Sequence, residues 1–95
     1  MSPLAELPKQ YRTIFENNRV RILEYRGGPG EKTAPHSHPD LVAIALTEAK
    51  VRFDVGGQTA DAELPAGGTL FAEATEHATE NIGSSEARII LVELK

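Results

Sequence analysis

The stretch "GEKTAPHSHPDLVAIAL", residues 30–46, places two histidines, His36 and His38, one residue apart at the mouth of an apolar run. In an extended segment, side chains at i and i+2 share a face about 7 Å apart along the backbone, so two imidazoles there can converge on one ion. The run that follows alternates. Val42, Ile44 and Leu46 are expected on the inward face, where they make an apolar pocket floor.

Outward from this stretch, turn signals recur at short intervals: "ENN" at 16–18, "GGPG" at 27–30, "TEAK" at 47–50, "GGQ" at 56–58, "PAGG" at 65–68 and "GSSE" at 83–86. Short strands at spacings of about 8–12 residues point to a sandwich or barrel. In "RVRILEYR" (19–26) Val20 and Ile22 face one way and Arg19 and Arg21 the other. In "KVRFDV" (50–55) Val51, Phe53 and Val55 alternate with Arg52 and Asp54. Both have the period of a half-buried strand. "ARIILVEL" (87–94) is apolar on both faces from Ile89 to Val92, which fits a central strand covered on two sides. No window holds helical periodicity, although residues 3–10 can make one helical turn. The expected fold class is all-β, without internal repeat or linker.

The chain has 95 residues, of which 40% are hydrophobic and 5% aromatic. That suits one domain with a thin core of Val, Ile, Leu and Ala, which association with a second copy would help. There is no Cys, which excludes disulfides, thiolate metal sites and cysteine nucleophiles. The net charge of -4 argues against a nucleic-acid partner. No apolar stretch reaches the roughly 18 residues of a membrane span, and "MSPLAELPKQ" lacks the features of a signal peptide, so a cytoplasmic location is expected. Charge is uneven: five basic residues face three acids up to Arg26, and five face eleven beyond it. This N-terminal segment reads as the solvated face of a hairpin or as a contact with a second subunit.

His77 is the third and last histidine of the chain. Three neutral imidazoles suit Zn, Fe, Ni, Cu or Co at about 2.0–2.2 Å and leave positions open for water or substrate. Taken alone, His-x-His between two prolines also reads as a solvated loop.

"GEKTAPHSH" supplies Gly30, five residues, His36, Ser37 and His38, and "AGGTLFAEATEHATEN" supplies Gly67 or Gly68, then His77, three residues and Asn81. These spacings resemble the two motifs of the cupin family, over about residues 20–94, and in particular its compact single-domain bacterial members. The family's glutamate should fall at Val42 or Ala43, and its closing glycine is replaced by Ala49. The proline and glycine before the last histidine are replaced at 72–75. The resemblance implies a double-stranded β-helix (jelly-roll) barrel, often a homodimer, with His36, His38 and His77 as metal ligands inside its mouth. It divides the chain into an N-terminal arm and first strand (1–18) and one barrel domain (19–95).

Without the glutamate the site loses a negative charge, which favours imidazole-tolerant ions such as Fe, Zn or Ni over Mn. Asp40, Glu73 and Glu76 are candidate replacements. Val42, Ile44, Phe71, Glu73 and Asn81 are candidates for lining the pocket or supporting the ligands. Asn81 reads first as a pin on backbone groups. No glycine belongs to a phosphate loop, and no serine has the context of a nucleophile. Two functions remain open: a metal-dependent enzyme on a small molecule, such as a dioxygenase, and a ligand-binding or dimerisation barrel without a functional metal.

Overall fold

The computed structural model of the chain describes residues 7–95. Nine strands follow one another: β1 (Tyr11–Glu16), β2 (Val20–Gly27), β3 (His36–His38), β4 (Leu41–Ala45), β5 (Ala49–Val55), β6 (Gln58–Leu64), β7 (Thr69–Ala72), β8 (Thr75–Asn81) and β9 (Ala87–Leu94). They form two antiparallel sheets, one ordered β1-β2-β9-β4-β7 and the other β3-β8-β5-β6. No helix occurs among the described residues, so none there can cross a membrane. The helical turn expected over 3–10 falls partly outside the described residues. Its remainder is a tight turn closed by Tyr11 N donating to Pro8 O at 3.0 Å.

All six turn signals fall between strands or at their ends. The β5–β6 hairpin shows the reason most clearly. Gly56 and Gly57 take φ of +61° and +88°, a left-handed pair that lets a two-residue loop follow the twist of its strands. Asp54 Oδ1 accepts the Gly57 N–H at 2.9 Å.

Strand β9 sits at the centre of its sheet, paired with β2 on one side and β4 on the other, as its two-sided apolar pattern requires. Its inward residues Ala87, Ile89 and Leu91 join Tyr11, Leu23, Tyr25, Leu41, Ala43, Ala49 and Val51 in the core.

The parity of two strands reverses the expectation. In β2 the inward set is Arg21, Leu23 and Tyr25, while Val20 and Ile22 are half-buried on the outer face. Leu23 and Tyr25 bring more apolar surface than Val20 and Ile22, and that burial drives the choice. Arg21 is carried inside with them. In β4 the inward residues are Leu41, Ala43 and Ala45, so Val42 and Ile44 lie on the outside of the sheet and floor no pocket. Small alanines inside leave the barrel room for larger groups from the opposite sheet.

Candidate metal centre

The short strand β3 pairs with β8 in a register that sets His36 directly opposite His77 and His38 opposite Thr75. Alternation turns His36 and His38 to the interior together, and all three imidazoles are buried. Their ring centroids lie 4.7, 4.8 and 5.2 Å apart, each pair edge-on. One ligating nitrogen from each residue falls within 4.8 Å of the others. Closing on an ion at about 2.0–2.1 Å asks the ring tips to move by roughly 1 Å.

Hydrogen bonds fix two of the rings. His36 Nδ1 lies 2.8 Å from Ala34 O, and a carbonyl only accepts, so Nδ1 carries the proton and Nε2 the lone pair. The Tyr11 hydroxyl donates to that Nε2 at 3.2 Å. His38 Nδ1 donates to Glu93 Oε2 at 2.5 Å, which turns Nε2 away from the carboxylate. Behind it, Glu93 Oε1 accepts from Arg21 Nε at 2.7 Å, and both side chains of that pair are 2% exposed. The His77 ring stacks on Phe53, with centroids 5.3 Å apart and planes 15° from parallel.

Two nitrogens of the cluster, His38 Nε2 and His77 Nε2, are buried with no hydrogen-bond partner among the described residues. Burial without a partner costs about 1–3 kcal/mol per group, and a metal ion is one way to recover it. Two of the imidazoles, His36 and His77, are pushed toward the neutral form that ligation needs. Burial, and then the two neighbouring imidazoles, push His77 down to about 4. Burial also lowers His36, against the Ala34 carbonyl that draws it back. Burial pushes the Glu93 carboxyl up, but hydrogen bonds from His38 and Arg21 outweigh it and hold Glu93 below the usual range, as the anion.

Of the residues expected at the site, the three histidines come together and Glu73 reaches the rim of the adjoining cavity. Val42, Ile44 and Phe71 do not. Phe71 is 58% exposed on the outside of the sheet, where Leu70 and Ala72 on the alternate positions face in. Asp40, Glu73 and Glu76 are exposed, and none joins the histidine cluster. Asp40 instead accepts the Ala74 N–H at 2.8 Å. Asn81 is a pin: its amide donates to Gly27 O and Ser85 O, each at 2.9 Å, and its oxygen accepts from Gly83 N. Sequence reasoning missed Glu93, Arg21 and Tyr11. Glu93 has the parity of Ala87, Ile89 and Leu91, and an acid on the inward face of a central strand was the available signal.

No family model and no curated protein matches the sequence. Solved structures do. A cupin domain from Bordetella pertussis Tohama I is 25% identical, over 90% of this chain and 91% of that one, with a TM-score of 0.81. A protein with a double-stranded β-helix domain from Klebsiella pneumoniae is 16% identical, over 99% of this chain and 82% of that one, at 0.71. A cupin superfamily protein from Desulfitobacterium hafniense is 19% identical, over 98% and 88%, at 0.66.

Proposed function

We propose that this chain, which has the cupin double-stranded β-helix fold, holds one divalent ion on His36, His38 and His77 and uses it on a small molecule. The observation that carries the reading is the pair of buried, unpartnered Nε2 atoms on His38 and His77, in a cluster of three buried imidazoles. With no carboxylate in the cluster, Fe, Zn or Ni suit the donor set better than Mn. Bound Fe would supply oxygen chemistry of the dioxygenase kind, and bound Zn would polarise a carbonyl or a water. The protein's own part is to present three lone pairs, with the Ala34 carbonyl and Glu93 orienting two of them.

The test is the metal content of tag-free protein by elemental mass spectrometry, beside a His36→Ala/His38→Ala variant. About one ion per chain, lost in the variant, supports the site, and the element found chooses the chemistry. Content no higher than the variant's, even after reconstitution with Fe, Zn and Ni, supports the second reading, a barrel that binds a ligand or a partner without metal. That alternative draws on the Tyr11 hydroxyl, which already occupies His36 Nε2.

The reading includes a homodimer. On the outside of the five-stranded sheet one register row crosses every strand: Phe15, Ile22, Val92, Val42 and Phe71. Phe15 is 52% and Phe71 58% exposed. The row is apolar throughout and has an aromatic at each end. A two-fold axis lying in the interface therefore matches aromatic with aromatic, as a second copy of the same face requires. Phe71→Lys should turn a dimer into a monomer by light scattering. An unchanged mass at every concentration would remove this face from consideration.

A further inference from the structure

Between the two sheets, against the histidine cluster, lies a cavity of about 290 Å³, at the small end of the roughly 300–1,000 Å³ typical of small-molecule sites. Its walls are overwhelmingly apolar, with Leu41, Val51, Phe53, Leu70 and Leu91 among them, and His77 links it to the metal centre. No lysine or arginine lines it. The one charged lining residue is Glu73, exposed at the rim. Arg21, the buried cation nearest in kind, is committed to Glu93.

These walls select by charge. In the metal-free barrel a carboxylate or phosphate entering here would leave water without a counter-charge, and burying an unpaired ion costs far more than apolar contact returns. A sugar would lose most of its hydroxyl partners, because few groups inside can replace them. Besides His77 Nε2, two buried polar atoms of the lining have no hydrogen-bond partner, the Tyr25 hydroxyl and the Thr79 hydroxyl. Burial pushes the Tyr25 phenol up to about 12, so it stays a neutral donor. An apolar cavity with a few unmatched polar atoms suits a molecule with an apolar body and one polar end.

Resting on the proposed metal centre for its catalytic meaning, but on the cavity alone for its chemistry, we infer that the ligand is a small, uncharged, mainly apolar molecule. It carries a single alcohol, phenol or carbonyl group, held at the His77 end of the cavity.

The test compares two probes of nearly the same shape, benzyl alcohol and benzoate, at neutral pH. Each is titrated into chelator-stripped and Zn-loaded protein while amide and side-chain NMR shifts are followed. The expected result is binding of the alcohol at least about tenfold tighter than benzoate in the chelator-stripped form, where no ion supplies a counter-charge, with shifts centred on Phe53, Leu70 and His77. An Ala60→Phe variant at the cavity rim should abolish those shifts and leave the rest of the spectrum in place. Benzoate equal to or tighter than the alcohol in the chelator-stripped form overturns the inference, as does no binding of either probe, or shifts elsewhere that survive Ala60→Phe. Protein that takes up no ion yet binds the alcohol in the cavity defeats the metal reading and leaves this one standing. Protein that holds its ion but prefers benzoate once the ion is stripped does the reverse.

Discussion

Two carboxylates sit on the paired strands β2 and β9, on opposite faces of the same sheet, and each is paired with arginine. Glu93 points inward to Arg21 and His38, with Arg21 Nη2 at 2.7 Å from its oxygen. Glu24 points outward, where Arg88 lies at 2.7 Å, Arg12 at 2.9 Å and Arg26 at 3.7 Å. The distances are alike and the consequences are not. Glu24 is itself only 6% exposed, but the three guanidinium groups over it are 38, 73 and 53% exposed, so water and salt reach the cationic side of each contact. Glu93 has no such screening, and each of its hydrogen bonds fixes a partner that has nowhere else to turn. The inner cluster is an orienting device for an imidazole; the outer one is a patch of surface charge.

The comparison breaks most visibly at Glu93. In metal-stripped protein, Glu93→Ala leaves Arg21 buried and uncompensated and should cost about 3–5 kcal/mol in chemical denaturation. A loss no larger than that of a surface variant would show that water reaches the pair. The double variant Arg21→Met/Glu93→Leu separates packing from orientation. It should recover most of that stability, because apolar replacement of a buried ion pair is often neutral or better. It should still weaken metal binding by about 10–100-fold, since His38 loses the acceptor that fixes its tautomer. Full metal affinity in a stable double variant would reduce Glu93 to a structural role.

On the outer face Glu24→Gln should shift the denaturation midpoint less than either, and in about 1 M salt, where the Debye length is near 3 Å, the shift should vanish. The smallest effect is in acid. Hydrogen bonds from Arg88 and then Arg12 hold the Glu24 carboxyl below its ordinary 4.5. The unfolded chain therefore takes up that proton first. Glu24's contribution is complete above about 4.5 and is lost as pH falls through the lower folded value. Wild type should lose stability over that range more steeply than Glu24→Gln, and coincident acid limbs would show that the outer arginines do nothing for the fold.

The same contrast explains what could be read from the sequence. Strand rhythm, turns and the central place of β9 depend on local pattern and were legible, as was the convergence of His36 and His38. Which face of β2 turns inward was not. "RVRILEYR" offers Val20 and Ile22 on one parity and Leu23 and Tyr25 on the other, and the second set brings Arg21 with it. Only a partner from the far end of the chain makes a buried arginine tolerable, and no local window contains both Arg21 and Glu93. Val42 and Ile44 misled for a related reason. In an ordinary sheet the bulky β-branched residues of a strand mark the core, but β4 keeps alanines inside because the interior must hold imidazoles and a cavity.

Strand β3 is three residues long and lies at the margin of its sheet, with β8 as its one named strand partner, and it carries two of the three imidazoles. Marginal strands are the first parts of a sheet to open, and their amides exchange with solvent through local openings that leave the rest folded. An ion shared between β3 and β8 would act as a clasp on that margin, made only after distant parts of the chain have met. It would therefore hold the protein shut more than it helps it close: unfolding should slow on loading while folding keeps its pace. Hydrogen exchange at residues 36–38 becomes a reporter of occupancy that needs no substrate.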